Sequence, residues 1–179
     1  RPETRFRLQY DREGLYGLFS VRDRFVRCVA RKFQDPVCRD SCVEFFVRPA
    51  HGRGYVNFEF SAAGVLLAQH VADCRRRPGT DDVRPLTERE AAGIRIYHSL
   101  PGRIEQELAQ ETCYELGFFL PFSIFAGTHG APAPVSRTVW SGNVYKCGDD
   151  TSHPHWASWR PVRRVNFHEP DCFGDLEFE

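Results

Sequence analysis

The feature that most constrains the fold of this chain is a series of short runs in which apolar and polar residues alternate. Each run is rich in Phe, Tyr, Val or Ile and is bounded by Gly, Pro or Asp, a pattern typical of β-strands separated by turns. The runs are Thr4–Gln9, Leu15–Val21, Phe25–Ala30, Val43–Val47, Tyr55–Phe60, Val65–Val71, Ile94–Ser99, Tyr114–Leu120, Thr138–Tyr145 and Leu176–Phe178. About ten short strands predict an all-β protein, an antiparallel sandwich or barrel.

Helical and loop segments are few. Thr87–Ala92 predicts a helix of one or two turns, because Thr87 can cap its start and Glu90, three residues later, completes a capping box. Two segments rich in Pro and Gly, Arg75–Pro85 and Gly127–Ser136, predict surface loops. A length of 179 residues predicts that residues 1–179 form a single domain.

Charge and hydropathy disfavour two classes of partner. The 24 Lys and Arg residues balance 24 Asp and Glu residues, so the chain has no net attraction for nucleic acid or for anionic lipid. No run of about 18 apolar residues is present to span a membrane. We therefore expect neither a nucleic-acid nor a membrane partner.

Seven cysteines and the N-terminus say little about the cellular compartment. The cysteines contain no C-x-x-C pair, so no zinc module is predicted, and their odd number leaves the redox compartment undecided. The chain begins with Arg1 and contains no Met, which suggests a trimmed N-terminus. That is compatible with a removed signal peptide and equally with an artificial boundary.

The pleat of two runs separates a core face from a polar and aromatic face. In Val43–Val47 and Tyr55–Phe60, alternate residues are uniformly apolar and predict packed core. The opposite faces, if the two strands pair, present Glu44, Phe46, Tyr55, Asn57 and Glu59. Rings interleaved with carboxylates and an amide suit a sugar, whose hydroxyl groups hydrogen-bond while its C–H faces stack on rings.

Two catalytic or metal-binding alternatives arise from other residues. His153, His155 and His168 could supply three imidazoles to a metal, but their spacing is not diagnostic, and structural or hydrogen-bonding roles are favoured. Glu44 and Glu59 could act as acid and base in glycoside hydrolysis if their carboxyl groups lay roughly 5 to 9.5 Å apart. No nucleophile motif and no phosphate-binding loop is present. We therefore predict neither a metal site nor a catalytic residue.

Two tryptophans are candidates for surface contacts. Trp156 and Trp159 lie beside prolines in a segment without clear strand periodicity, a setting that favours a role at a surface or rim. Simple packing stays the more common role of a tryptophan and is retained as the alternative.

Four segments stand out together: Asp40–Val47, Tyr55–Phe60, Tyr114–Pro121 and Asn166–Phe178. In combination they resemble the carbohydrate-binding module family 9-like domains, β-sandwiches associated with xylanases, and the resemblance spans most of the chain. It implies an antiparallel β-sandwich and a sugar-binding role. Structural calcium, which the family often uses, is also implied, without ligands that can be named here.

The resemblance also implies which residues contact sugar. In sugar-binding members two tryptophans clamp a sugar ring, and these positions fall at Val37 or Cys38 and at Phe167. The family glutamate corresponds to Glu44, its arginine to Glu59 and an amide to Asn57. The first clamp ring is thus missing, and Trp156 or Trp159 is a candidate to replace it.

The sequence therefore predicts a non-catalytic carbohydrate-binding protein, or an accessory module of a polysaccharide-degrading system. The predicted sugar-binding residues are Glu44, Asn57, Glu59, Trp156, Trp159, Phe167 and His168. The expected ligands are mono- or oligosaccharides or polysaccharide ends, with no cofactor, and the expected location is extracellular or periplasmic. A glycoside hydrolase using Glu44 and Glu59, and an interaction domain without sugar binding, remain the alternatives.

Overall fold

Thirteen strands dominate the computed structural model, which describes residues 1–51, 54–75 and 82–179. They are β1 (Glu3–Tyr10), β2 (Gly14–Asp23), β3 (Val26–Cys28), β4 (Cys42–Arg48), β5 (Tyr55–Ser61), β6 (Leu66–Val71), β7 (Val83–Pro85), β8 (Arg95–His98), β9 (Ile104–Leu108), β10 (Thr112–Pro121), β11 (Val139–Gly148), β12 (His155–Ser158) and β13 (Gly174–Glu177). Each of the ten predicted runs overlaps one of these strands.

Two antiparallel sheets face each other and confirm the predicted β-sandwich. The smaller sheet has the order β1-β2-β10-β8, and the larger has the order β12-β11-β4-β5-β6-β7, with β13 also paired to β11. A separate pair, β3 with β9, lies outside both sheets. The backbone of β4 is paired with β5 along one edge and with β11 along the other, and this pairing fixes the positions from which its side chains extend.

The helices differ in part from the prediction. Helix α1 (Glu88–Ala91) begins after Thr87 with the predicted capping box: Thr87 accepts from the Glu90 amide, and the Glu90 carboxylate accepts from the Thr87 amide. Helix α2 (Phe122–His129) was not predicted, and it includes the start of the segment Gly127–Ser136 that we assigned to a loop. Two short 3-10 turns, Val37–Arg39 and Pro170–Cys172, complete the helical content of the described residues. No helix among the described residues is long and apolar enough to cross a membrane.

Part of the other predicted loop cannot be compared. Residues 76–81 of Arg75–Pro85 lie outside the described residues, while Val83–Pro85 form β7 at the edge of the larger sheet.

The main core fills the space between the two sheets with aromatic rings. Phe118 of β10 stacks on Phe60 of β5, with ring centroids 5.1 Å apart and planes 3° apart, and on Phe45 of β4 at 5.7 Å. The apolar faces predicted for Val43–Val47 and Tyr55–Phe60 both belong to this core. Burying rings of this size is the main stabilising contribution that such a core can make.

The opposite face of the larger sheet carries a second, smaller aromatic cluster. Phe46, Tyr55 and Tyr145 are buried there, with Phe167 and Phe173 of the C-terminal segment packed against them. The predicted polar and aromatic face is therefore real, but the C-terminal segment covers much of it. What remains open is a cavity at one end of that cover.

Candidate functional site

A cavity of about 300 Å³ opens between the outer face of the larger sheet and the C-terminal segment. Its lining combines carboxylates, amides, thiols and rings. The lining residues are Pro36, Cys38, Glu44, Glu59, Leu67, Gln69, Cys147, Asp149, Trp156, Val165, Asn166, Phe167 and His168.

Adjacent strands build the inner end of the cavity. In the register of the sheet Glu44 of β4 stands directly opposite Glu59 of β5 and, on its other side, Tyr145 of β11. Cys147 follows two residues after Tyr145 and therefore lies on the same face. Its Sγ donates to Glu44 Oε1 at 3.1 Å. The two predicted glutamates are thus brought together by cross-strand pairing.

The environment of Glu44 disfavours its charged form. Burial is the largest cause, and the Cys147 thiol and the Glu59 carboxylate add to it, so the pKa of the Glu44 carboxyl lies well above its ordinary value. A neutral carboxyl group can donate one hydrogen bond and accept others. Glu44 can therefore donate a hydrogen bond to a hydroxyl group of a ligand or accept one from it.

Asn57 supports Glu59 from below the cavity. Asn57 is fully buried, and its Nδ2 donates to Glu59 Oε1 at 2.7 Å. Asn57 was predicted to contact sugar, but it is not among the residues that line the cavity. Its place in the structure is to position the Glu59 carboxyl group.

Two aromatic rings lie at the mouth of the cavity. Trp156 of β12 is 49% exposed, and its Nε1 donates to Asp149 Oδ1 at 2.8 Å. Phe167 is half-buried and stacks on Tyr145, with centroids 4.1 Å apart and planes 13° apart. Cys38, at one of the two positions implied for the first clamp ring, lines the same cavity. Both rings are therefore held in place by a specific partner.

The three histidines of the C-terminal region are separated. His168 lines the cavity, where its Nδ1 lies 2.6 Å from the Tyr55 hydroxyl. His153 stacks on Phe25 with centroids 3.6 Å apart, and His155 Nε2 lies 2.8 Å from Lys146 Nζ. These contacts keep the three imidazoles apart, with a different partner for each.

Trp159 does not join this site. It is 52% exposed, but it lines a different cavity together with Phe6, Leu8 and Leu176. The physical reason is the pleat of β12: Trp156 pairs with Cys147 and shares its face, whereas a residue three positions later points to the other side.

The one candidate metal-binding group among the described side chains does not suit calcium. In residues 1–51, 54–75 and 82–179, one group of three or more His, Cys, Asp or Glu side chains is close enough to hold an ion, and it consists of Cys42, Glu44 and Cys147. Calcium takes six to eight oxygen ligands, so two thiols do not suit it. Structural calcium stays a prediction from the resemblance.

Sequence reasoning missed several lining residues. Gln69 and Leu67 of β6 pair with Asn57 and Glu59 of β5, so the same alternation that found the glutamates could have included them. Cys147, Asp149 and Asn166 depend on which distant segments meet at the sheet, and no local pattern gives that information.

The site is thus a cavity lined by carboxylates, amides and rings on the outer sheet face of a β-sandwich, an arrangement suited to carbohydrate binding. The chain matches the model of carbohydrate-binding family 9 over residues 1–178, and it belongs to that family. Because the family consists of non-catalytic modules, the prediction of a carbohydrate-binding module rather than a glycosidase is confirmed.

Solved structures share the fold. A candidate carbohydrate-binding protein from Bacteroides uniformis is 32% identical with a TM-score of 0.89, over 100% of this chain and 79% of that one. A carbohydrate-binding module of family 9 from Caldicellulosiruptor kristjanssonii, solved with glucose, is 12% identical with a TM-score of 0.64, over 100% and 78% of the two chains. The same kind of module solved with cellotriose gives 13% identity and a TM-score of 0.64, over 99% and 75%. No curated protein sequence matches the chain significantly.

Proposed function

We propose that the cavity beside Trp156 and Phe167 binds a sugar ring at the end of a short saccharide. The single observation that carries the proposal is that one cavity joins both rings to the carboxyl groups of Glu44, Glu59 and Asp149. Rings supply stacking surfaces for C–H faces, and the carboxyl groups supply hydrogen-bond partners for hydroxyl groups.

The size of the cavity favours a mono- or disaccharide unit over a long chain. Its volume of about 300 Å³ lies at the lower end of the range of about 300–1,000 Å³ typical of small-molecule sites. A polysaccharide would therefore bind through its end. Glucose and short cello-oligosaccharides are the first ligands to test, since two structural relatives were solved with glucose and cellotriose.

Trp156 takes the place of the missing clamp ring in this proposal. Cys38, one of the two positions implied for that ring, has none, while Trp156 reaches the same cavity from β12. Its hydrogen bond to Asp149 fixes the indole before a ligand arrives, which reduces the entropy lost on binding.

Trp156→Ala tests the role of this ring. Stacking on an aromatic ring is worth about 1–3 kcal/mol in nucleic-acid complexes. A similar loss here would weaken sugar binding by about 5- to 150-fold, measured by calorimetry with glucose and cello-oligosaccharides. Trp159→Ala is the matched control, because Trp159 is equally exposed but lines another cavity, and its affinity should not change.

The proposal is overturned if the wild-type protein binds no mono- or oligosaccharide on a glycan array or by calorimetry. That result would favour the alternative of an interaction domain without sugar binding. Loss of affinity in Trp159→Ala with none in Trp156→Ala would move the site to the other cavity.

We further infer a role in a polysaccharide-degrading system outside the cytoplasm, with xylan among the candidate polymers. The support is the resemblance to xylanase-associated modules and a site suited to saccharide ends. Pull-down on insoluble xylan and cellulose, compared between the wild type and Trp156→Ala, tests the polymer. Fractionation of the producing cells tests the location.

A further inference from the structure

Two thiols and a carboxyl group meet at the inner end of the cavity, at a place that sugar binding does not explain. Cys42 and Glu44 lie two residues apart on β4, on one face of the strand, and Cys147 of β11 pairs directly with Cys42. The ligand atoms of the three residues all lie within 4.8 Å of one another. We propose that Cys42, Glu44 and Cys147 bind a thiophilic divalent cation of the Zn²⁺ class.

The two distances from Glu44 to the sulfur atoms are close to those of tetrahedral coordination. With Zn–S bonds of about 2.3 Å and Zn–O bonds of about 2.0–2.2 Å, neighbouring ligand atoms stand about 3.5–3.8 Å apart. Glu44 Oε1 lies 3.1 Å from Cys147 Sγ and 3.9 Å from Cys42 Sγ. Shifts of a few tenths of an ångström bring these distances to the required values.

The surroundings of Glu44 suit a bound cation. Its side chain is buried and accepts hydrogen bonds from the two thiols, which are weak donors. None of the ion pairs among the described residues involves Glu44. A buried carboxyl group is ordinarily paired or bound to a metal, because burial without compensation is costly. A cation between Oε1 and the two sulfur atoms supplies that compensation.

The strands make the site rigid and keep it accessible. β4 is central in the larger sheet and β11 is its direct neighbour, so the three ligands are placed before any ion arrives. Glu44 and Cys147 line the cavity, which gives an ion a path to the site and leaves a fourth position for water from the cavity. Three protein ligands with one open position are an arrangement found in zinc proteins.

The ligand types select the ion. Thiolates disfavour Ca²⁺ and Mg²⁺, which take oxygen ligands, and favour Zn²⁺ and related ions. The alternative is that Cys42 and Cys147 only fill the core as small apolar groups, as buried cysteines commonly do. The two alternatives differ in one measurable respect, which is whether thiolates bind an added metal.

Titration with Co²⁺, under a non-thiol reductant that keeps every cysteine reduced, tests the proposal on the full chain. We expect one equivalent of Co²⁺ to give a thiolate-to-cobalt charge-transfer band in the near ultraviolet, and Zn²⁺ to abolish it. Cys42→Ser and Cys147→Ser should each lose most of this band. Glu44→Gln should weaken Co²⁺ binding by at least roughly tenfold, as expected when a metal ligand is lost.

Three cysteines away from the cavity provide the control. Cys74, Cys113 and Cys172 are exposed or half-exposed, and the triple change of these residues to Ser should keep the band. A wild-type protein without the band, or a band lost only in the triple variant, overturns the proposal.

X-ray absorption on the zinc-loaded wild type covers the case in which the cysteine variants do not fold. Two sulfur neighbours at about 2.3 Å support the proposal, whereas a shell of only oxygen and nitrogen overturns it. Neither measurement uses a sugar, so the metal site can fail while the proposed sugar binding stands, and the reverse also holds.

Discussion

At the scale of single residues, the most unusual feature is a lysine buried inside the sandwich. Lys146 of β11 is 1% exposed, and its Nζ lies 2.9 Å from Asp23 Oδ2 of β2, so one ion pair links the two sheets. The same ammonium donates to the Cys147 carbonyl at 2.9 Å and to His155 Nε2 at 2.8 Å. The cost of burying the charge is thus offset by the Asp23 carboxylate and by two hydrogen-bond acceptors.

Removing one partner of this ion pair should cost more stability than removing both partners. Lys146→Met leaves Asp23 buried without its cation, and we expect a loss of about 3–5 kcal/mol in the free energy of unfolding. The double variant Lys146→Met with Asp23→Leu removes both charges and should be more stable than Lys146→Met alone. Urea unfolding of the single and double variants measures the coupling, and additive losses would contradict the interpretation.

His155 adds a pH dependence to the same cluster. Burial and the neighbouring Lys146 ammonium lower the pKa of His155 below its ordinary value of 6.5, because its Nε2 accepts from Lys146 and cannot easily take a proton. In the unfolded chain this constraint is absent. The unfolded chain therefore binds more protons just below pH 6.5, and stability falls as the pH falls through that window.

His155→Gln should flatten this dependence, since an amide oxygen can accept from Lys146 but does not titrate. The measurement is the free energy of unfolding in urea at a series of pH values from about 7.5 to 5, across the ordinary histidine pKa. His51→Gln, at an exposed histidine, is the control and should keep the wild-type slope. Equal slopes for His155→Gln and the wild type would contradict the assignment.

At the scale of elements, alternation predicted every long strand and also the short strands β3, β8 and β13. It missed β7, β9 and β12, which have three to five residues, so that a period of two is easily lost in them. Helix α2 was missed because its start lacks the capping side chain that marked α1. The packing of Phe122 and Phe125 against Trp140 is a tertiary effect that no local pattern contains.

Part of the candidate site could also be predicted from the sequence. Alternation placed Glu44 and Glu59 on one face, and the resemblance added Phe167. The cysteines could not be placed there, because the pairing of Cys147 with Cys42 joins strands about a hundred residues apart.

Gly17 shows how closely two strands of the smaller sheet pack. It pairs with Phe118, and a Cβ added at Gly17 would lie 2.1 Å from Phe118 Cζ. That ring stacks on Phe60 and Phe45 across the core, so it cannot move away freely. Gly17→Ala should therefore lower the free energy of unfolding by about 1–3 kcal/mol, as overpacking does.

Thermal and urea unfolding check this prediction against Gly102→Ala. No atom lies within 4 Å of a Cβ added at Gly102, so that change should be close to neutral. If Gly17→Ala were equally neutral, the Phe118 ring would have room that the structure does not show.

At the scale of the whole molecule, stability and recognition depend on different aromatic clusters. The main core lies between the sheets and includes Phe118, whereas Phe167 belongs to the smaller cluster on the outer face of the larger sheet. The outer cluster positions the C-terminal segment over the sheet and so forms one wall of the cavity. The two clusters share strands β4 and β5 but use opposite faces of them.

This division predicts that the two functions can be separated by substitution. Phe118→Ala should cost about 3–5 kcal/mol of unfolding free energy while leaving sugar affinity unchanged in the folded fraction, because the ring is remote from the cavity. Phe167→Ala should clearly weaken sugar binding. Its loss of stability should be smaller than that of Phe118→Ala, since the Phe167 ring is only half-buried. Urea unfolding and calorimetry on both variants provide the comparison. Equal losses of stability, or an affinity lost in Phe118→Ala, would mean that the sandwich and its outer cover form one cooperative unit that also sets recognition.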